Sequence, residues 1–158
     1  MSSVIRDLIE YEGIDNIDIS KNNNAFKQIS IDEISLVPSY KPDMIQITRV
    51  SIETNIIDSY LIKTPVGKSV EGVRLTGYKL FISGNIKVKI QYLTDQKCQL
   101  INNFFYETAY SGGVVLPSGT REKSYIAPSI LVEDIYIKEN GPRSIYSSIS
   151  LVLTGSVC

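Results

Sequence analysis

Few side chains in this sequence could do acid–base or nucleophilic chemistry, and their spacing does not suit it. Histidine is absent from all 158 residues, which removes the commonest general base and the commonest metal ligand. A serine nucleophile would need a lysine or a terminal amine as its base, and the sequence contains no G-x-S-x-G elbow. The residues therefore favour a protein that is not an enzyme, with no cofactor and no metal.

Other candidate groups also favour structural roles. Glu133 and Asp134 are adjacent in a strand-like segment, so their side chains point to opposite faces and do not meet on one substrate. The glycine-containing segments 111–113 and 118–120 lack the Gly-Lys-Ser/Thr sequence and the following helix of a phosphate-binding loop. We expect turns there.

The two cysteines are too few for a disulfide framework and form no C-x-x-C pair. Cys98 lies in a predicted strand, and Cys158 is the final residue of the sequence. One cysteine in the body and one at the end could join neighbouring subunits head to tail under oxidising conditions. The alternative is that Cys98 is inert packing.

Composition favours a single β-rich domain. Isoleucine and valine are abundant, tyrosine occurs ten times and tryptophan is absent, which is typical of β-sheets. A net charge of −1 and a pI near 5.5 give no general attraction to nucleic acid or anionic membranes. No apolar run is long enough to span a membrane, and the start lacks the features of a signal peptide. We expect synthesis in the cytoplasm.

The clearest alternation of apolar and polar residues runs over 69–93, SVEGVRLTGYKLFISGNIKVKIQYL. It predicts a β-hairpin whose three-residue loop is 83–85, because that loop sets Leu80 opposite Val88 on the core face. The apolar phase changes at Gly77, which predicts a β-bulge there.

Lysines occupy the outer face of this predicted hairpin, where Lys79 falls opposite Lys89 with Lys87 beside them. Two interpretations stay open. Exposed lysines deter unwanted sheet pairing, or they form a contact for an acidic partner surface or an anionic wall polymer.

Short predicted strands and turn signals fill the rest of the chain from residue 26 to 158. Proline-rich residues 38–43, residues 64–67 and residues 140–142 read as turns, and 111–124 reads as a loop. Turn signals about every ten residues, with no long amphipathic helix between them, predict an antiparallel β-sandwich or a jelly-roll-like domain.

Residues 1–25 form a different segment, which we term the N-terminal arm. Helical spacing predicts a short helix near its start that ends at Gly13, and an Asn-rich hinge follows at 21–24. The arm either packs on its own domain or docks on a neighbouring subunit, and the second alternative makes it a self-association arm. Its apolar residues are Val4, Ile5, Leu8, Ile9, Ile14, Ile17 and Ile19.

Four motifs in a fixed order, over about residues 26–155, resemble the SPOCS domain of clostridial and bacillar sporulation proteins. The family pattern is P-x-x-K-P-D before a strand, then G-x-x-L-x-G, then V-K-I-x-Y, then E-D-I. The matching residues are Pro38, Lys41, Pro42 and Asp43; Gly72, Leu75 and Gly77; Val88, Lys89, Ile90 and Tyr92; and Glu133, Asp134 and Ile135.

The resemblance implies a non-catalytic β-domain that takes part in spore-envelope assembly. We therefore expect a structural protein that self-assembles in a spore outer layer or a spore-surface fibre, through its N-terminal arm. The alternative is a binding module that recruits a spore-coat protein or binds cortex peptidoglycan. The LysM module that often accompanies the family's domain is not found in the sequence.

Overall fold

Eight β-strands make up the fold in a computed structural model, which describes residues 2–15, 25–68, 70, 74–117, 120 and 125–157. The strands are β1 (Ser2–Arg6), β2 (Ile9–Ile14), β3 (Ala25–Leu36), β4 (Gln46–Lys68), β5 (Arg74–Leu93), β6 (Ile101–Val115), β7 (Ile126–Glu139) and β8 (Ser144–Val157). The prediction of an all-β fold is confirmed.

The strands form two sheets that face each other. One sheet has the order β1-β2-β4-β5-β6 and the other has the order β3-β8-β7. Neighbouring strands are antiparallel except β2 and β4, which pair in parallel. The arrangement is sandwich-like, as the recurrent turn signals predicted.

The predicted hairpin over 69–93 is wrong, because residues 83–85 lie inside the single strand β5. Gly84 has no room for a side chain: a Cβ there would collide with the Asn55 carbonyl oxygen and the Tyr110 hydroxyl. Even-numbered residues face the core both in a hairpin with a three-residue loop and in one straight strand, so periodicity could not separate the two. The predicted core face is right, since Leu80 is 3% exposed and Val88 is fully buried.

β4 joins two predicted strands into one, and the turn predicted at 64–67 is wrong. Instead of turning, β4 continues through this segment, and its pairing with β5 shifts register between Lys63 and Val66. Gly77 lies on β5 opposite the shift and has a φ of +109°. The irregularity predicted at Gly77 is therefore present, with the extra residue on β4.

A continuous hydrophobic core fills the space between the two sheets. Side chains that are under 2% exposed come from both inner faces, as burial of alternate residues on each strand requires. The largest of them are Tyr11, Tyr92, Ile47, Ile82, Ile86, Ile90, Leu116, Ile135, Ile145, Ile149, Leu151 and Leu153.

The predicted N-terminal helix is wrong, because β1 and β2 form a β-hairpin. Its two-residue turn places Asp7 and Leu8 at positive φ, 52° and 67°, as a tight hairpin requires. An isolated helix of about ten residues is marginal in water, whereas β2 gains a partner strand in β4 and buries Tyr11. The hinge predicted at 21–24 lies outside the described residues.

Candidate interaction surfaces

The N-terminal hairpin caps the outer edge of β7. The Asp15 backbone N–H donates to the Val132 carbonyl at 2.9 Å, and the Val132 N–H donates to Asp15 Oδ2 at 2.8 Å. Further along, the Tyr11 hydroxyl donates to the Ile137 carbonyl at 3.4 Å and accepts from the Ile137 N–H at 3.2 Å. Edge groups that would otherwise invite another strand are thereby satisfied within the chain.

Arg6 adds a charged contact to the same edge. Its guanidinium lies 2.5 Å from Asp134 Oδ1 and donates to the Ile135 carbonyl at 3.0 Å. The hydrogen bond that Arg6 donates to Asp134 raises the pKa of Arg6, and burial raises the pKa of the neighbouring Tyr11. The guanidinium also lies 4.9 Å from the centre of the Tyr11 ring, so these groups form one connected cluster.

Residues predicted to form a self-association arm divide into two groups. Ile9 and Ile14 are buried in the chain's own core, so they are not available to a neighbour. Ile5 and Leu8 are 73% and 83% exposed, and Val4 is 37% exposed. Ile17 and Ile19 lie outside the described residues. Within the described part of the arm, apolar surface for association is therefore limited to the hairpin turn and β1.

The predicted lysine face is a mixed-charge surface. On the outer face of the five-stranded sheet, Lys87 lies between Glu53 of β4 and Glu107 of β6. The predicted opposition of Lys79 and Lys89 is wrong, because both residues are on β5, ten positions apart. Cross-strand pairs of opposite charge stabilise such a sheet.

A polar depression of about 320 Å³ opens on this face. Beside it, the Arg49 guanidinium lies 3.2 Å from Glu10 and 3.3 Å from Glu12, and the Lys87 ammonium lies 4.4 Å from the centre of the Phe105 ring. Charges of both signs are therefore available to a polar ligand. The depression is lined by Glu12, Ser51, Ile52, Glu53, Lys87 and Lys89.

The free edge of β3 contrasts with the capped edge of β7. All twelve residues of β3 pair with β8 without a register shift, and no other described strand pairs with β3. On its outer face Phe26, Ile34 and Leu36 are 52%, 63% and 72% exposed. We call this edge, together with these three side chains, the β3 surface.

The β3 surface continues onto neighbouring strands. A depression of about 420 Å³ adjoins Ile34 on the outer face of the three-stranded sheet. Its wall combines two tyrosines and an isoleucine with three polar side chains, and tyrosine is enriched at surfaces that contact proteins. The lining residues are Ile34, Tyr136, Lys138, Glu139, Asn140 and Tyr146.

A buried polar cluster lies on the inner side of β3. Ser147 is 1% exposed and donates to the Glu33 carbonyl at 3.2 Å. Burial raises the pKa of the nearby Tyr106 to about 12, against a smaller lowering by the Ser147 hydroxyl. The serine therefore has no base as its hydrogen-bond acceptor, and the tyrosine stays protonated near neutral pH. This cluster does not resemble a nucleophilic site.

The first matched motif forms a structural corner between the two sheets. The Arg143 guanidinium contacts Asp43 at 2.7 Å and the Pro38 carbonyl at 2.8 Å. The Tyr92 hydroxyl donates to the Pro42 carbonyl at 2.9 Å. Arg143, which the sequence did not single out, thus ties the β3–β4 connection to the turn between β7 and β8.

The remaining predicted site residues do not assemble into a reactive centre. Cys98 is exposed in a turn, so its predicted strand is wrong, and Cys158 lies outside the described residues. Their pairing stays a prediction. Glu133 is the extra residue at a β7 register shift and accepts from Gln28 at 2.8 Å, while Asp134 binds Arg6.

A family-model scan, a search of curated proteins and a search of solved structures each found no match to this chain. Among the described residues, no three or more His, Cys, Asp or Glu side chains come together as a potential metal site. The same part of the chain has no helix long and apolar enough to cross a membrane.

Proposed function

We propose that this chain is a non-catalytic structural protein that assembles with copies of itself. The observation that carries the proposal is the β3 surface, a strand edge that pairs with no further described strand and is bordered by exposed Phe26, Ile34 and Leu36. The resemblance of the motifs to SPOCS domains suggests the setting, a bacterial spore outer layer or a spore-surface fibre.

Free strand edges are normally protected against association. Short length, proline, bulges and charged side chains are the usual protections. β3 is twelve residues long and contains neither proline nor a register shift, so of these protections it carries only charged side chains, at Lys27, Asp32 and Glu33. Its outer-face apolar side chains add hydrophobic area to the hydrogen bonds that a second strand would form. Such an edge is suited to a partner strand.

The N-terminal hairpin supplies a second, different contact. Leu8 stands at the turn with positive φ and is 83% exposed, which is an unfavourable place for a large apolar side chain. A neighbouring subunit that covers Leu8 would remove its apolar side chain from water. A contact between a hairpin turn and an unlike surface is heterologous, and repeated contacts of this kind build filaments or rings. This retains the arm's proposed role in assembly, limited to its exposed part.

A second candidate function is supported by the polar depression beside Lys87 and Lys89. Its lining also includes the carboxylates of Glu12 and Glu53, so it offers partners to both amines and carboxylates. The stem peptides of peptidoglycan and the surface of a coat protein carry both. A binding module of this kind would remain monomeric and would retain wall material.

Sedimentation velocity over a concentration series, with negative-stain microscopy of the same samples, tests the first proposal. We expect the wild type to associate with rising concentration and to form ordered particles. Ile34→Ser should weaken association, whereas Ile57→Ser should not, because Ile57 is 66% exposed but lies on β4. A wild type that stays monomeric and binds purified peptidoglycan would favour the binding module.

A further inference from the structure

We propose that β3 pairs with β3 of a second copy, antiparallel and centred on Ser30, so that two three-stranded sheets become one six-stranded sheet. This inference rests on the proposed self-association and specifies the surface through which two copies contact each other. It commits to a twofold contact in which each chain presents the same strand.

The alternation of β3 limits the possible registers. Ile29 and Ile31 pack against the hydrophobic core, so odd-numbered residues face inward and even-numbered residues face outward. A sheet that continues across two copies must place inner residues opposite inner residues. The centre of a twofold pairing must therefore fall on a residue rather than between two residues.

Centring on Ser30 makes the opposing side chains complementary. Lys27 then faces Glu33 of the second copy, and Phe26 faces its Ile34, and each pair occurs twice by symmetry. Shifting the centre to Ile29 or Ile31 removes the Lys27–Glu33 pair. Opposite charges and large apolar pairs across strands stabilise a sheet. Charge complementarity thus selects one register.

The environment of Glu33 supports the same register. One of its carboxylate oxygens is enclosed and accepts no hydrogen bond from the described residues, although enclosed polar groups normally have a partner. Lys27 is exposed and lies on the same inner-facing row of β3. A lysine from the second copy would bring a cationic donor to that carboxylate.

Charge exchange tests the register directly. Lys27→Glu should place two carboxylates opposite each other at both ends of the contact, and Glu33→Lys should do the same with two ammonium groups. We expect each variant alone to associate about tenfold more weakly than the wild type. An equimolar mixture of the two should recover association, because every pair is again of opposite charge. Circular dichroism and thermal melts establish that both variants fold.

A cross-link provides an independent measurement. In a chain carrying Cys98→Ser and Cys158→Ser, Ser30→Cys should form a disulfide-linked dimer on oxidation. Opposed residues in antiparallel strands have Cα atoms about 4.5–5.5 Å apart, which a disulfide accommodates. Gln28→Cys is the matched control: it is exposed on the same face, but the register separates the two copies of this residue.

The outcomes separate this inference from the function on which it rests. A wild type that never associates overturns both. Association that is insensitive to the charge exchange, with no preference of Ser30→Cys over Gln28→Cys for cross-linking, overturns the β3 pairing and leaves self-association in place. Recovery in the mixture, together with the Ser30→Cys cross-link, supports both.

Discussion

The two edges of the three-stranded sheet differ in whether other described parts of the chain cover them. The β7 edge is covered by polar groups of the N-terminal hairpin, with Asp15 on Val132 and Tyr11 on Ile137. The β3 edge meets no described strand and is bordered by exposed apolar residues. An edge that is capped locally cannot add a strand without losing its cap, whereas an uncapped edge can. Of the two edges, β3 is therefore the one to which a strand can be added without loss of the cap.

The cap also explains why the N-terminal segment belongs to the fold. It contributes a parallel strand to the five-stranded sheet and hydrogen bonds to the three-stranded sheet. One short segment thus fastens the two sheets together on the β7 side. On the opposite side the sheets are joined by side-chain packing between β3 and β6, as where Ile29 lies near Gly112.

Among the changes that test the contrast between the two edges, deletion of residues 1–15 should have the largest effect on folding. It removes β1 and β2, exposes the β7 edge and uncovers the core beside Tyr11. We expect a product that is largely unfolded or aggregates without order, measured by circular dichroism and thermal denaturation. Leu8→Ser is the control and should leave stability nearly unchanged, since Leu8 is 83% exposed. A stable, monodisperse deletion product would contradict the structural role of the hairpin.

Tyr11→Ala should be the most damaging single substitution at the capped edge. Tyr11 is 1% exposed, and its hydroxyl contacts both backbone groups of Ile137. Loss of the ring should cost about 3–5 kcal/mol, and Tyr11→Phe about 1–3 kcal/mol through the unpaired backbone groups. Phe26→Ala at the open edge should cost less than about 0.5 kcal/mol in the monomer. Urea denaturation compares the three, and equal costs at Tyr11 and Phe26 would contradict the contrast between the edges.

Alkaline pH provides a test on the β3 side of the sandwich. Burial raises the pKa of Tyr106 from 10.0 to about 12, so the unfolded chain ionises at lower pH than the folded chain. The contribution of this group to stability is complete below pH 10 and is lost as the pH rises through about 12. Tyr106→Phe should therefore lose less stability than the wild type between these values, by on the order of 2 kcal/mol. Parallel pH profiles for the two proteins would show that Tyr106 ionises as an exposed tyrosine does.

Alternation along single strands was the part of the fold that the sequence revealed. The even-numbered residues from Leu80 to Tyr92 are buried as predicted, but the role predicted for Gly84, in a hairpin loop, is wrong. A glycine followed by asparagine is typical of a hairpin loop. Here Gly84 instead makes room for the Tyr110 hydroxyl, which donates to the Asn55 carbonyl at 2.8 Å. Its role depends on two strands distant in sequence.

The arm and the interaction surfaces were harder to predict for the same reason. The spacing of apolar residues at the N-terminus suited a helix. The segment forms strands because β2 pairs with β4, some forty residues away in the sequence. The exposed apolar residues of β3 alternate as core residues do, so nothing local showed which strand would be left at an edge. Arg143 carried no recognisable motif, because its partners at 38–43 come from a distant turn.

The smallest expected effect concerns the single carboxylate that caps Val132. Asp15 Oδ2 accepts the Val132 N–H at 2.8 Å, and Asp15→Ala leaves that donor without its protein acceptor. Because Asp15 is only half-buried, water can replace part of the bond, so we expect a cost of about 1 kcal/mol. Asp95→Ala, in an exposed loop, is the control and should cost less. Hydrogen exchange locates the effect: the Val132 amide should exchange faster in the Asp15 variant, while the Ile137 amide, held by Tyr11, should keep its protection. Uniform loss of protection along β7 would mean that Asp15 stabilises the whole edge, whereas an unchanged Val132 amide would mean that this contact does not protect it.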